Sequence, residues 1–309
     1  MKRILVTGGA GFIGSHFVRG LRDAHVTVLD KLTYAGNLAN LDGVPHTFAR
    51  GDICDAALLD EVVPGHDLVV NFAAESHVDR SIEGAAEFVR TNVLGTQTLL
   101  EACLRARVPK VVHVSTDEVY GSIDTGSWDE DAPLRPRSPY AASKAGGDLI
   151  ARAYAVTHGL DVSITRCGNN YGPRQYPEKV IPLFVTNLLS GRKVPLYGDG
   201  GNVRDWIHVE DHCAGIRLVA ERGEPGEVYH IAGTAELTNK ELTARLLEAC
   251  GRGWDMVEHV EDRKGHDRRY SLDDRKLRAL GYRPRVPFEQ GLKETVRWYD
   301  ENRSWWERR

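Results

Sequence analysis

The stretch that decides the fold is Thr7 to Gly14, TGGAGFIG, which follows the short aliphatic run Arg3 to Val6 and opens a segment of helical spacing. Gly8, Gly11 and Gly14 at such a strand-to-helix junction let the backbone turn tightly and approach a pyrophosphate, whose charge the helix N-terminus favours. An ordinary strand-to-helix turn also carries glycines. The next apolar run, Val26 to Leu29, ends in Asp30, however, where a carboxylate is placed to accept hydrogen bonds from adenosine ribose hydroxyls. Dinucleotide binding is therefore the stronger reading. A carboxylate at Asp30 repels the extra phosphate of NADP and argues for NAD, although Lys31 beside it, unless it is only a solvated loop charge, works the other way. Asp52 and Ile53 follow the third run and are placed to touch adenine; Asp52 equally reads as a cap for a helix beginning near Cys54.

The same alternation continues outward from this start. Short runs rich in Val and Ile recur at Arg3 to Val6, Val26 to Leu29, His46 to Ala49, Leu68 to Phe72, Val111 to Val114 and Val162 to Thr165. Helical spacing fills the intervals near 12 to 22, 55 to 63, 84 to 106 and 139 to 158. That rhythm predicts an α/β fold, a six-stranded, doubly wound, Rossmann-like parallel sheet with helices on both faces. After about residue 168 the rhythm breaks in a segment dense in Gly, Asn, Tyr and Pro. The expected organisation is an NAD-binding domain over 1–168 and a second, smaller, mostly helical lobe over 169–309, with some chain crossing back. No long Gly/Ser linker separates them, so the lobes pack around a cleft. Trp298, Tyr299, Trp305 and Trp306 read as packing residues.

Composition narrows the partners. The 309 residues carry 40 Lys+Arg against 44 Asp+Glu, a net charge of -4, which gives no basic surplus for nucleic acid or an anionic membrane. No apolar run approaches the ~20 residues of a membrane span, and the start MKRILVTGG is no secretory signal. Cys54, Cys103, Cys167, Cys213 and Cys250 are scattered and form no CxxC pair, so neither a disulfide framework nor a metal site is expected. A cytoplasmic location fits these features.

A second motif carries chemistry. Tyr140 to Lys144 reads YAASK, and residues four apart share a helix face, so the Lys144 ammonium is expected near the Tyr140 hydroxyl, stabilising its phenolate as a base. Ser115 to Gly121, STDEVYG, follows the fifth run and sets Asp117 beside Glu118. Taken alone, those acids read as a turn or helix cap. Both can reach one substrate only if the strand ends near Thr116, since neighbours on a regular strand point to opposite faces.

With TGGAGFIG, NFAAESHVDRS at Asn71 to Ser81 and YAASK in this order, the chain resembles the extended short-chain dehydrogenase/reductases, and within them the dTDP-glucose 4,6-dehydratases. Nucleotide-sugar 4-epimerases are similar elsewhere but ordinarily lack the paired acids. The resemblance implies a cycle in which Tyr140 takes the C4 hydroxyl proton of dTDP-glucose while NAD takes the hydride. Glu118 as base at C5 and Asp117 as acid at the C6 oxygen then eliminate water, the hydride returns to C6, and the product is dTDP-4-keto-6-deoxyglucose. Thr116 is expected to hydrogen-bond the sugar O4.

The resemblance further implies cofactor contacts from Phe12, Ile13, Leu32, Thr33, Phe72, Ala73, Ala74, Ser76, Thr91 and Asn170, besides Gly8, Gly11, Gly14, Asp30, Lys31, Asp52, Ile53, Tyr140 and Lys144. His77 and Asn92 lie in the same neighbourhood and also read, with Ser76 and Thr91, as capping residues. Substrate contacts are implied for Ser76, Thr116, Asn169, Lys179, Val180, Pro195, Tyr197, Arg204, Asn239, Arg263 and His266, Arg204 being suited to a diphosphate by its guanidinium fork. In TRCGNNYGP, Thr165 to Pro173, Gly168 stands where the family usually has Ser. Family members commonly form homodimers through helices matching 84 to 106 and 139 to 158. The competing readings are a 4,6-dehydratase or 4-epimerase acting on another nucleotide-hexose and a non-catalytic NAD-binding sensor.

Overall fold

The computed structural model describes residues 1–263 and 265–307. The chain runs β1 (Lys2–Thr7), α1 (Phe12–Gly20), β2 (Ala24–Asp30), β3 (Thr47–Arg50), α2 (Ala56–Val62), β4 (Leu68–Asn71), α3 (Val78–Glu83), α4 (Ala86–Val89), α5 (Thr96–Arg105), β5 (Val111–Thr116), α6 (Pro139–His158) and β6 (Val162–Cys167). It continues as β7 (Asn169–Tyr171), α7 (Val180–Leu189), β8 (Val194–Tyr197), β9 (Val203–His208), α8 (Val209–Arg222), β10 (Val228–Ile231), β11 (Ala235–Thr238), α9 (Asn239–Ala249), β12 (Val257–Val260), α10 (Arg275–Ala279), α11 (Phe288–Glu301) and α12 (Arg303–Trp306).

The main sheet has the order β10-β6-β5-β4-β1-β2-β3, parallel throughout. Its strands read as nearly continuous apolar runs because both faces are covered. Ile4 and Val6 pack with Phe17 of α1 and Ile216 of α8, while Leu5 between them packs on the opposite side with Leu59 of α2 and Leu100 of α5. The sheet has seven strands rather than the expected six. The seventh, β10, is only Val-Tyr-His-Ile between glycines, too short and too polar to stand out as an apolar run, and the crossover through α8 brings it beside β6.

Two further expectations are corrected. The region 84–106 is not one α-helix, since a π-helical stretch at Arg90–Gly95 separates α4 from α5. The wider turn sets Asn92 to grip the Glu75 backbone, accepting from its N–H at 2.9 Å and donating to its C=O at 2.9 Å. Such bulges are common beside functional sites. The second lobe is also less purely helical than expected, with the sheet β11-β9-β7 and the pair β12-β8 beside α7, α9 and α11. Trp298, Tyr299, Trp305 and Trp306 pack within that lobe's apolar cluster.

Candidate active site

The carboxyl ends of β1, β2, β4, β5 and β6 open into one cavity of about 460 Å³, closed on its far side by the second lobe. Its cofactor end is made of backbone. Gly8 has φ +67°, and a Cβ there would lie 2.7 Å from the Ala73 nitrogen. At Gly14 a Cβ would meet the Gly8 carbonyl at 2.3 Å. Among the described residues no side chain caps α1, so its first N–H groups are left to face the cavity beside this cradle. These features fit a dinucleotide pyrophosphate.

Asp30 is fixed by two backbone donors, Ala10 N at 2.9 Å and Leu32 N at 2.8 Å, and burial raises its pKa. The Leu32 side chain, at φ +56°, packs against the core cluster around α1, while Lys31 and Thr33 on either side line the cavity. Lys31 pairs with Asp52 at 2.9 Å, which neutralises the charge that competed with the Asp30 reading. Asp55, not Asp52, caps α2, accepting from Leu58 N at 3.2 Å. Asp52 accepts from Cys54 N at 2.9 Å and lines the cavity with Ile53. Phe12, Ile13, Gly11, Phe72, Ala73, Ala74, Ser76 and Thr91 line it too.

At the centre, β5 stops at Thr116 and the chain enters a single 3₁₀ turn, Asp117–Tyr120. The turn breaks the alternation of the strand, so both acids border the same cavity. Thr116 Oγ1 accepts from Glu118 N at 3.2 Å and donates to Asp117 Oδ1 at 3.2 Å. Asp117 Oδ2 is buried without a partner among the described residues. Burial, followed by the charges of Glu118 and Asp205, raises the Asp117 pKa well above the carboxylate range, whereas Glu118 is raised by burial and opposed by Lys179 and Arg204. The two carboxyl groups are thus pushed apart, the arrangement in which one serves as acid and the other as base.

Tyr140 and Lys144 lie on α6, whose start is set by the Ser138 cap and Pro139. Both are buried in the same cavity. The expected approach of Lys144 to the phenol takes a different form here, since Lys144 Nζ donates to Val114 O at 2.7 Å. Burial and the Glu118 charge raise the Tyr140 pKa, and a hydrogen bond with Thr116 opposes them.

The opposite end is built from side chains of distant segments. Asn169, Asn170, Lys179, Val180, Pro195, Tyr197, Arg204, Asn239, Arg263 and His266 all line the cavity. Most of the charged groups have internal partners. Lys179 Nζ donates to Ser76 O at 2.5 Å, and Arg204 donates to Asp267 O at 3.0 Å across the Tyr270 ring. Arg263 lies over Tyr197 and grips Asp79 through two contacts of 2.6 and 2.8 Å; His266 bonds Asp262 at 2.7 Å. Gly168 leaves no room for the usual Ser, since a Cβ would come within 2.8 Å of the Asp205 carbonyl.

Sequence reasoning missed several lining residues. Asp79, Glu178, Asp267 and Tyr270 border the cavity without having been singled out, although Asp79 stands inside the quoted motif NFAAESHVDRS and Glu178 directly precedes Lys179. Glu178 accepts from Tyr34 at 3.1 Å, and the Arg80 guanidinium covers the Tyr34 ring at 3.8 Å. That bridge joins the loop after β2 to the segment before α7. A charged residue beside one already implicated, as Glu178 is beside Lys179, was the available signal.

A seven-stranded Rossmann sheet, a glycine cradle, a carboxylate ending the second strand and a Tyr-x-x-x-Lys pair in one cavity define an extended short-chain dehydrogenase/reductase. Known proteins agree. A family profile described as GDP-mannose 4,6 dehydratase matches residues 5–295, and the chain belongs to that family. It is 61% identical over 318 residues to dTDP-glucose 4,6-dehydratase of Streptomyces niveus, covering 99% of this chain and 95% of the relative. The solved dTDP-glucose 4,6-dehydratase of Streptomyces venezuelae, with NAD bound, superposes with a TM-score of 0.97 at 63% identity and 99% coverage of each chain. UDP-glucose 4-epimerase of Thermus thermophilus, in complex with NAD, has a TM-score of 0.91 at 36% identity, covering 97% of this chain and 99% of its own. Since an epimerase shares the fold so closely, the reaction must be argued from the site.

Proposed function

We propose that this chain is an NAD-dependent hydro-lyase that converts dTDP-glucose to dTDP-4-keto-6-deoxyglucose and water. The observation that carries the reading is the end of β5, where Asp117 and Glu118 turn into one cavity beside Tyr140. An epimerase needs a base at the C4 hydroxyl only. Loss of water from C5 and C6 needs one further base and one acid.

When bound, NAD supplies the chemistry of a hydride acceptor at C4 and a donor at C6. Tyr140 accepts the C4 hydroxyl proton as a phenolate that the nearby Lys144 ammonium and the positive charge of bound nicotinamide would favour against the burial that raises its pKa, with Thr116 beside it at O4. Once C4 is a ketone the C5 proton is acidic, and Glu118 removes it while Asp117, kept protonated by its surroundings, delivers a proton to the departing C6 oxygen. Each positioned transfer contributes roughly 10²- to 10⁴-fold in rate. Glu118 then returns its proton to C5. Gly8, Gly11, Gly14 and Asp30 hold the dinucleotide, and Lys144 supports its nicotinamide end. Arg204, Arg263, Lys179, Asn169, Asn239, Tyr197 and His266 hold the nucleoside diphosphate, with thymine as the base of the relatives' named substrate.

On this reading residues 1–168 chiefly bind the cofactor and 169–309 the nucleotide sugar. A homodimer through the region 84–106 and α6 is supported by exposed apolar side chains at Val89 of α4, Leu94 of the π-helical stretch, and Leu149 and Val156 of α6. Cytoplasmic residence is supported by five free cysteines. No helix among the described residues is long and apolar enough to cross a membrane. The test is incubation of purified protein with dTDP-, UDP-, CDP- and GDP-hexoses, following the alkaline absorbance of a 4-keto product. The reading predicts turnover of dTDP-glucose first. Formation of a 4-epimer with no keto product would sink it.

A further inference from the structure

Three segments distant in the chain meet at one carboxylate beside the cavity. The loop after β2 lines the cavity through Thr33, Ala35 and Gly36, and the segment before α7 lines it through Tyr176, Glu178 and Lys179. Between them the Tyr34 hydroxyl donates to Glu178 Oε1 at 3.1 Å, and the Tyr34 ring meets Tyr176 edge-on at 5.4 Å. Arg80 of α3 sets its Nε 3.4 Å from Glu178 Oε2 while its guanidinium covers the Tyr34 ring at 3.8 Å. Arg80 is half exposed and Glu178 largely buried, so the cluster is layered from solvent inward and forms part of the cavity wall.

On one side of this cluster the loop is tied to the dinucleotide cradle. Asn37 N and Asn40 Nδ2 each donate to Ala10 O at 3.0 Å, and Ala10 N donates to Asp30 at 2.9 Å. On the other side Lys179 Nζ donates to Ser76 O at 2.5 Å. Each segment also bends at a non-glycine residue with left-handed backbone, Leu32 at φ +56° and Arg174 at φ +67°. Such a conformation persists where surrounding contacts impose it.

We propose that Tyr34, Glu178 and Arg80 form a clasp that retains bound NAD, joining the cofactor loop to the second lobe so that exchange of the cofactor waits on its opening. The bond from Tyr34 to Glu178 is charge-assisted and lies beneath the Arg80 guanidinium, which makes it costly to break. Burial and the Glu178 charge raise the Tyr34 pKa, so the phenol keeps the proton that it donates. At the other end of the cavity, the pair of Arg263 with Asp79 joins a different loop to α3, so the substrate end is held by a separate joint. Dehydration and epimerisation both return the hydride to the sugar, so a retained cofactor serves either reaction.

The test is the rate at which NAD-loaded protein takes up radiolabelled NAD from an excess in solution, with bound label counted after rapid gel filtration. Tyr34→Phe keeps the ring beneath Arg80, and Glu178→Met keeps the length of the side chain without its carboxylate. Each should exchange NAD about tenfold faster than the native protein. Because both remove one shared contact, the double variant should exceed the faster single variant by no more than about twofold. Asp79→Ala, at the other joint, should exchange NAD at the native rate. Native-like exchange in both single variants overturns the proposal, as does full multiplication of their effects in the double variant. Acceleration by Asp79→Ala as large as that of the clasp variants also overturns it, because any loosening between the lobes would then suffice.

Discussion

The two ends of the cavity are made from different materials. The cofactor end is backbone, with Gly8 and Gly14 fitted so closely to neighbouring main chain that no side chain can be added, and Asp30 locked by two N–H groups. The sugar end is a set of long charged side chains that pair with one another, as Arg263 does with Asp79 and His266 with Asp262. The first construction suits a ligand that stays bound through turnover. The second suits one that enters and leaves each cycle, because internal carboxylates and carbonyls keep the cations satisfied between visits.

Four changes would break or sharpen that contrast. The largest effect is expected between the two ends, where Glu118→Gln should lower kcat by roughly 10²- to 10⁴-fold while leaving cofactor affinity unchanged in a fluorescence titration. A native-like rate of keto-product formation would remove Glu118 from its role.

Next comes the buried Asp205, whose pKa burial lifts from 3.8 to about 7. Its folded-state pKa lies above the unfolded value, so the folded protein binds more protons between these pH values. The associated stability is present below about pH 4 and is lost as pH rises through 7. Urea unfolding of the native protein and Asp205→Asn should therefore diverge over that interval, the native protein losing on the order of a few kcal/mol relative to the variant. Parallel curves would mean that Asp205 stays ionised.

At the cofactor end, Gly14→Ala places a methyl group against the Gly8 carbonyl and should cost about 1–3 kcal/mol of stability. A lowered Tm together with weakened NAD binding is the expected result, and unchanged NAD affinity would refute the backbone cradle. The smallest effect is expected for Asp79→Ala. Freed of its half-exposed partner, Arg263 should bind the diphosphate more readily, lowering KM by a few-fold at constant kcat, in keeping with a pair worth less than ~1 kcal/mol. A raised KM would show that Asp79 positions Arg263 rather than competing for it.

The cofactor end was legible because its parts are contiguous. TGGAGFIG and the strand-ending Asp30 state their geometry within thirty residues, and even there the left-handed φ that turns the Leu32 side chain into the core leaves no mark in the sequence. The bridge between Tyr34 and Glu178 and the pair of Asp79 with Arg263 join residues 144 and 184 positions apart, so nothing local could announce them. Strand β10 was overlooked for a related reason. Its four residues become a strand only because β6 offers an open edge.

By itself the sequence determined the layered α/β architecture, the dinucleotide cradle and the types of residue that would do the chemistry, because helix and strand periodicity and glycine geometry act over short distances. Only the tertiary structure decided that β5 ends soon enough for adjacent acids to share a cavity, which of them is driven to hold its proton, and which cations are already paired. Burial and charge–charge interaction depend on everything that packs around a group, and the chain supplies those neighbours from its whole length.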